Sequence, residues 1–171
     1  RPYALAVARR VADRVVDHVL WLEDEASLAN LRSAHERGEL AAFETIHLAT
    51  QAFYDPVNPL QSAIWLSDAS LTVADLFHLR LGRSCRVIFS ACDQGVSRRP
   101  LGGEGMGLLQ ACLHVGVTGM LVSLWPMSDE VAGELVDRFY AHWTKKGQGA
   151  ARALQQAQRE MEAAGQPLFH W

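Results

Sequence analysis

The 171-residue sequence predicts an α/β fold, with a mostly parallel sheet and helices on both faces, in a single domain. Helical and strand periodicity alternate along the whole chain, with no internal repeat and no linker. Connections of this length between strands are typical of βαβ units, which build parallel sheets. Apolar residues make up 49% of the chain and charged residues 20%, which excludes a disordered or low-complexity protein.

The N-terminal part of the chain predicts two helices and two strands. Apolar residues recur at helical spacing over residues 4–15, and a β-rich run predicts a short strand over residues 18–22. Asp24 is the expected N-cap of the second helix, which should end near Gly38. Residues 43–50 form the second predicted strand, so helix and strand alternate from the start.

The middle of the chain begins with a loop that contains two prolines, over residues 54–62, where no regular element is expected. A short strand is predicted over residues 63–66. Thr72 then caps a brief helix, with Asp75 three residues later in the capping-box position. Residues 86–91 form a compact apolar strand, as expected for a buried position in the sheet.

The C-terminal part predicts three helices and one strand after a polar, glycine-rich loop. One helix starts near Met106 and gives way at Gly116 to a strand over residues 119–124. Asp129 opens a long helix with an apolar stripe. The last helix spans residues 150–164 and ends before a glycine and a proline, which are common helix terminators.

Charge and cysteine content exclude several classes of function. Sixteen basic and nineteen acidic side chains give a net charge of −3, which does not favour nucleic-acid binding. No apolar run approaches the roughly 18 residues that cross a membrane. Three cysteines without a C-x-x-C pair indicate a reducing, cytoplasmic setting and no metal site. The glycine-rich stretch 102–107 lacks the Lys-Ser/Thr of a phosphate-binding loop, so no cofactor is expected.

A cysteine at the end of a predicted strand is the first candidate for chemistry. In parallel sheets the reactive crevice lies beyond the carboxyl ends of the strands, and Cys92 ends an apolar strand there. A thiol at that edge could act as a nucleophile, although a lone cysteine after an apolar run is more often a packed hydrophobe. Cys85 and Cys112 are expected to be packed in this way.

A cysteine nucleophile needs a base, because a free thiol at neutral pH is only a few per cent thiolate. Of the seven histidines, His47 lies on a predicted strand, on the same face as Gln51. A structural role is the favoured interpretation for His47, and a role as base is the alternative.

Several stretches of the sequence, in order and spacing over almost the whole chain, resemble the CHAT domain. This is a bacterial family of caspase-like and separase-like cysteine peptidases, in clan CD. The resemblance implies a caspase-like three-layer sandwich. The stretches with the residues of the site are His47-Leu48-Ala49-Thr50, Phe89-Ser90-Ala91-Cys92 and Ser123-Leu124-Trp125-Pro126.

The resemblance implies roles for three residues of this chain. Cys92 occupies the position of the nucleophile, and the backbone N–H of Ala52 occupies a position in the oxyanion hole. Gln51 stands where the family has its general-base histidine, and Ala52 replaces the glycine that normally follows. If that glycine is needed for a positive φ, Ala52 should resist the geometry. The cleft would be lined by Asp93, Gly95 and Trp125.

These departures predict an inactive peptidase homologue that acts as a peptide-binding, regulatory or scaffolding module. Its expected partners are proteins or peptides, including other modules of a larger protein. Residues 1–171 would then be one CHAT-like domain, cut from a longer chain and missing a strand at each end. The alternative is an active cysteine endopeptidase with nucleophile Cys92, whose base is His47 after a register shift or is supplied by a partner. An unrelated α/β binding protein is the third hypothesis.

Overall fold

The computed structural model of the protein describes residues 2–53, 55, 57–82, 85–90, 106–123, 127–145 and 148–167. The chain divides into two compact units. Unit 1 consists of residues Arg1–Leu20 and Met127–Trp171, and unit 2 consists of Trp21–Pro126. None of the helices in the described ranges is both long enough and apolar enough to cross a membrane.

The described residues contain helices together with a parallel sheet, which confirms the predicted α/β class. The predicted strict alternation does not hold, because four short strands follow one another over residues 45–72. The helices are α1 (Pro2–Ala12), α2 (Leu28–Glu36), α3 (Val73–Leu76), α4 (Met106–His114), α5 (Asp129–Trp143) and α6 (Ala150–Ala163). The strands are β1 (Thr45–Leu48), β2 (Ala52–Phe53), β3 (Ala63–Trp65), β4 (Ser70–Thr72), β5 (Arg86–Phe89) and β6 (Gly119–Leu121). Short 3-10 turns lie at Glu23–Glu25, Glu39–Ala42 and Pro59–Gln61.

Unit 2 contains the predicted parallel sheet, in the order β1-β5-β6. Both strand pairs are parallel, and β1 starts level with β5, with Thr45 opposite Arg86. The central strand β5 is buried at Val87, Ile88 and Phe89. An uninterrupted apolar run is what a parallel strand covered on both faces requires, so this strand could be predicted from composition.

A second, antiparallel sheet in unit 2, in the order β2-β3-β4, was not expected from the sequence. The predicted strand over residues 63–66 is confirmed at Ala63–Trp65, but it pairs here and not in the parallel sheet. Ile64 is fully buried in the core of unit 2, and its neighbour Trp65 is 52% exposed. The face with Ile64 therefore packs on the core, whereas the opposite face is buried at Ala63 and exposed at Trp65.

The predicted strand over residues 18–22 is wrong, since these residues are irregular. The flanking Val16 and the included Val19 are 96% and 62% exposed. β-rich composition alone does not make a strand. A strand also needs a neighbour for its backbone groups, and none of the described strands pairs with this segment.

The start of α2 differs from the prediction. Asp24 lies in the 3-10 turn, and Ser27 is the N-cap, with its hydroxyl accepting a hydrogen bond from the N–H of Asn30 at 3.1 Å. A second cap comes from a distant residue, because Asp68 accepts from the N–H of Leu28 at 2.6 Å. The observed start thus follows from a local N-cap, Ser27, three residues after Asp24, and the distant carboxylate reinforces it.

Other helix boundaries agree with the local signals. Thr72 and Asp75 form the predicted capping box at the start of α3, each side chain accepting from the other residue's backbone N–H at 3.0 Å. Helix α2 ends close to Gly38, which adopts a φ of 72°. Helix α6 ends just before Gly165, with a φ of 77°, as predicted. Both glycines occupy the left-handed region that terminates helices.

Unit 1 brings helices from both ends of its sequence together. The Tyr3 hydroxyl on α1 donates to the backbone carbonyl of Glu130 on α5 at 2.7 Å. Further along, Arg14 makes a two-bond ion pair with Asp137, at 2.9 and 3.0 Å. Gly133 on α5 packs against the Tyr3 ring, because a Cβ at this position would come within 2.9 Å of two ring carbons.

Candidate active site

The carboxyl ends of β1 and β5 lie side by side at one edge of the parallel sheet. Leu48, the last residue of β1, is opposite Phe89, the last residue of β5. The pairing continues one residue further, since the N–H of Ser90 donates to the carbonyl of Leu48 at 3.1 Å. Gln51 follows the end of β1 by three residues, so it leaves the sheet at the edge where ligands bind in such folds.

Four of the predicted site residues, Cys92, Asp93, Gly95 and Trp125, lie outside the described residues. The expectations about them therefore remain predictions. In the sequence, Cys92 follows the end of β5 by three residues, the same interval that separates Gln51 from the end of β1.

The backbone at Gln51 is held by the second sheet. The Gln51 carbonyl accepts a hydrogen bond from the N–H of Trp65 at 2.9 Å. The neighbouring Thr50 hydroxyl donates to the carbonyl of Trp65 at 2.5 Å. This arrangement extends the β2–β3 register by one position and sets Gln51 opposite Trp65, with both side chains on the same face. These two hydrogen bonds to Trp65 therefore fix the backbone of the loop after β1 at Thr50 and at Gln51, the candidate base position.

Ala52 begins β2 and is opposite Ile64 in β3. Because Trp65 donates to Gln51, this Ala52–Ile64 pair is a non-hydrogen-bonded one, and the Ala52 N–H is directed away from β3. Ala52 lies in extended strand backbone, where alanine is not strained. Position 52 therefore does not have the positive φ that would require glycine, and alanine fits its backbone.

His47 lies inside β1 and is hydrogen-bonded across the sheet to Ser90, with 2.7 Å between its Nε2 and the serine Oγ. Burial lowers the pKa of His47 to about 4, because the protein interior disfavours the imidazolium. At neutral pH the ring is uncharged, and one of its nitrogens is occupied by the serine hydroxyl.

The other two cysteines are packed in the protein interior, as predicted. Cys85 is fully buried and Cys112 is 2% exposed. Burial raises the pKa of the Cys112 thiol to about 11 and raises the pKa of Cys85 as well. Both thiols are protonated at neutral pH, so neither competes with Cys92 as a candidate nucleophile.

A shallow cavity of about 140 Å³ elsewhere in unit 2 does not form part of the candidate site. Three of its polar lining residues have partners: Arg32 is 3.1 Å from Asp75, which also caps α3, and His35 accepts from the N–H of Arg80. Within the described ranges, no cluster of three or more His, Cys, Asp and Glu side chains could hold a metal ion.

Two residues near the candidate site were not identified from the sequence. Trp65 neighbours Gln51 only because β3 pairs with β2, and Ser90 partners His47 only because β1 pairs with β5. The intervals of 14 residues between Gln51 and Trp65 and of 43 residues between His47 and Ser90 carry no local signal. Only the residue-by-residue pairing of β1 with β5 and of β2 with β3 identifies them.

Comparison with known proteins agrees with the fold. The family model for the CHAT domain matches residues 2–171, nearly the whole sequence. No curated protein matches the chain. The parallel sheet, the helices between its strands and this match together show that the chain belongs to the CHAT-domain family and is a caspase-like, peptidase-related module.

Proposed function

We propose that this CHAT domain binds peptides without cleaving them, as a regulatory or scaffolding module. The observation that carries the proposal is Gln51, whose backbone is hydrogen-bonded to Trp65 at the sheet edge where the family has its general base. An amide side chain takes up no proton at neutral pH. It can neither convert a thiol to thiolate nor protonate a leaving amine, and such proton transfers contribute about 10²–10⁴-fold to rate.

His47 does not replace the missing base. It lies within β1, four residues before Gln51, and its Nε2 is bonded to Ser90. With a pKa of about 4, the ring is also a weak base for a thiol. Recruiting it would require the β1–β5 register, in which His47 is opposite Ile88, to change.

Backbone and side-chain groups around Gln51 support peptide binding. The N–H of Ala52 is directed away from β3, where it could donate to a peptide carbonyl. The Gln51 amide can both donate and accept, which suits main-chain recognition. The expected partners are protein segments, including other modules of a larger protein. The buried, unpaired thiols Cys85 and Cys112 support the expected cytoplasmic setting.

A cleavage assay tests whether the site is inactive. The wild-type chain and the Cys92→Ala variant are compared on a randomised fluorogenic peptide library, and we expect the same background rate from both. Replacing Gln51 by His together with Ala52 by Gly should raise cleavage by roughly 10²-fold or more, because a base is restored. Gln51→Asn is the matched control and should stay at background, since it supplies no base.

An alkylation assay tests whether the site binds peptides. Cys85 and Cys112 are buried, so iodoacetamide should label Cys92 first, and bound peptide should slow that labelling. Cleavage by the wild-type chain that disappears in Cys92→Ala would overturn the proposal in favour of an active endopeptidase. Library peptides that leave the labelling rate of Cys92 unchanged would overturn the peptide-binding part.

A further inference from the structure

The antiparallel sheet carries an exposed tryptophan beside the candidate site. Trp65 is 52% exposed, which is unusual for the largest apolar side chain, whereas the next residue, Ile64, is fully buried. Successive side chains of β3 point to opposite faces, so Trp65 lies on the face opposite Ile64, which it shares with Ala63. Ala63 is only 6% exposed, so this face is covered at the start of β3 and reaches solvent at Trp65.

The strand register places this indole on the same face as Gln51. Trp65 is opposite Gln51 on one side and opposite Ser70 on the other, so the three residues form a row across the sheet. Side chains directly opposite each other in antiparallel strands have Cβ atoms about 5 Å apart. Phe53 lies on the same face, one position further along β2 from Ala52, and is partly exposed.

Two hydrogen bonds and one strand pairing hold the backbone of Trp65 in place. Its N–H donates to the Gln51 carbonyl, its carbonyl accepts from the Thr50 hydroxyl, and the strand on its other side is paired through Ser70. The backbone that carries the indole is therefore fixed before binding, and only the two side-chain torsions of Trp65 remain to be ordered. Large aromatic side chains with few torsions are effective anchors in interfaces.

We propose that Trp65 is the specificity-determining residue of the peptide site, where it packs against an aromatic or large aliphatic side chain of the bound peptide. The inference rests on the proposed function and adds the chemical class that the site selects. A flat, half-exposed indole offers apolar area and a π-face, both of which favour such a side chain over a charged one. Gln51, beside it, contacts the peptide main chain.

The test selects fluorescein-labelled, end-blocked octapeptides from a randomised library on the wild-type chain and measures their Kd by anisotropy. Bound sequences should share one aromatic or large aliphatic position. Trp65→Thr, which keeps a strand-compatible residue, should weaken the best peptide roughly tenfold or more. Trp65→Phe should stay within about threefold of the wild-type Kd, because it keeps an aromatic face. Val57→Thr, at a site that is 91% exposed, is the matched control and should leave the Kd unchanged.

A double-mutant cycle assigns the contact. Replacing the peptide's shared apolar residue by Ala should weaken binding to the wild-type chain strongly and to Trp65→Thr little. Peptide should also protect tryptophan emission of the wild-type chain from iodide quenching, and this protection should be reduced in Trp65→Phe. The emission measurement needs no destabilised variant, so the inference stays testable if Trp65→Thr fails to fold.

The outcomes separate the two proposals. If no library peptide binds the wild-type chain, the proposed function is wrong and this inference falls with it. If peptides bind and slow the alkylation of Cys92, but Trp65→Thr binds them as tightly as the wild-type chain, only the role of Trp65 is wrong.

Discussion

Two polar residues of one loop-and-strand segment illustrate how position decides chemistry at the residue scale. His47 and Gln51 are four residues apart, yet only the second lies beyond the carboxyl end of β1. The imidazole of His47 is hydrogen-bonded to the hydroxyl of Ser90 across the sheet. Burial lowers its pKa and so keeps it neutral. A titratable group is therefore present but structural, and the residue at the edge does not titrate.

The lowered pKa of His47 predicts that the protein loses stability on acidification. Between the usual pKa of 6.5 and the folded value of about 4, the unfolded chain binds a proton that the folded chain excludes. The free energy of unfolding should therefore fall as the pH drops through this window. The contribution of His47 between pH 7 and pH 5 should be about 2 kcal/mol.

Urea unfolding at the two pH values measures this effect. His47→Gln should show a smaller loss of stability on acidification than the wild-type chain, since the variant has no group to protonate at this position. His18→Gln, at an exposed position, is the control and should behave as the wild-type chain does. Equal losses in His47→Gln and the wild-type chain would contradict the assignment.

At the scale of elements, the α1–α5 contact depends on a missing side chain. A Cβ at Gly133 would meet the Tyr3 hydroxyl and come within 2.9 Å of two of its ring carbons. Tyr3 is also bound to the carbonyl of Glu130, so moving the ring breaks that hydrogen bond. Glycine costs about 1 kcal/mol in a helix relative to alanine, and here close approach of the two helices offsets that cost.

Gly133→Ala should consequently lower the free energy of unfolding when residue 3 is Tyr and raise it when residue 3 is Ala. In the wild-type chain the substitution should destabilise by about 1–3 kcal/mol, because the tyrosine is displaced. In a Tyr3→Ala background it should stabilise by about 1 kcal/mol, because only the helix propensity remains. Thermal or urea unfolding of the four proteins measures the cycle. The same sign in both backgrounds would show that Tyr3 does not restrict position 133.

At the scale of the whole molecule, the chain forms two compact units, one of which is assembled from both ends of the sequence. Unit 1 combines Arg1–Leu20 with Met127–Trp171, and unit 2 contains both sheets. The buried cluster that contains Ile64 and Val87 lies entirely within unit 2, and within unit 1 helix α5 contacts both α1 and α6. Segments with separate sets of buried contacts often open separately.

Hydrogen exchange should therefore report two separate responses to mutation. Tyr3→Ala should lower the protection of amides in α1 and α5, whereas Ile64→Val should lower it in β3 and β4. Each change should amount to about 1 kcal/mol of opening free energy within its own unit. Equal loss of protection throughout the chain in either variant would show that the units open together.

Local signals account for the elements that were predicted correctly. The capping box of Thr72 and Asp75 acts over three residues, and the apolar run of β5 marks a buried strand wherever it pairs. The incorrect strand over residues 18–22 lacked a partner strand elsewhere in the described chain, whereas the displaced N-cap reflects a choice between two local candidates, Asp24 and Ser27. Strands of two or three residues, such as β2 and β4, are too short for any periodicity to reveal a second sheet.

The sequence by itself determined the α/β class, the capping box that opens α3 and the buried strand β5, since these depend on residue type and local spacing. Only the tertiary structure decided that His47 bonds to Ser90 and that Trp65 is opposite Gln51. Strand register sets both relations, and register results from the pairing of distant backbone segments, which no local pattern encodes.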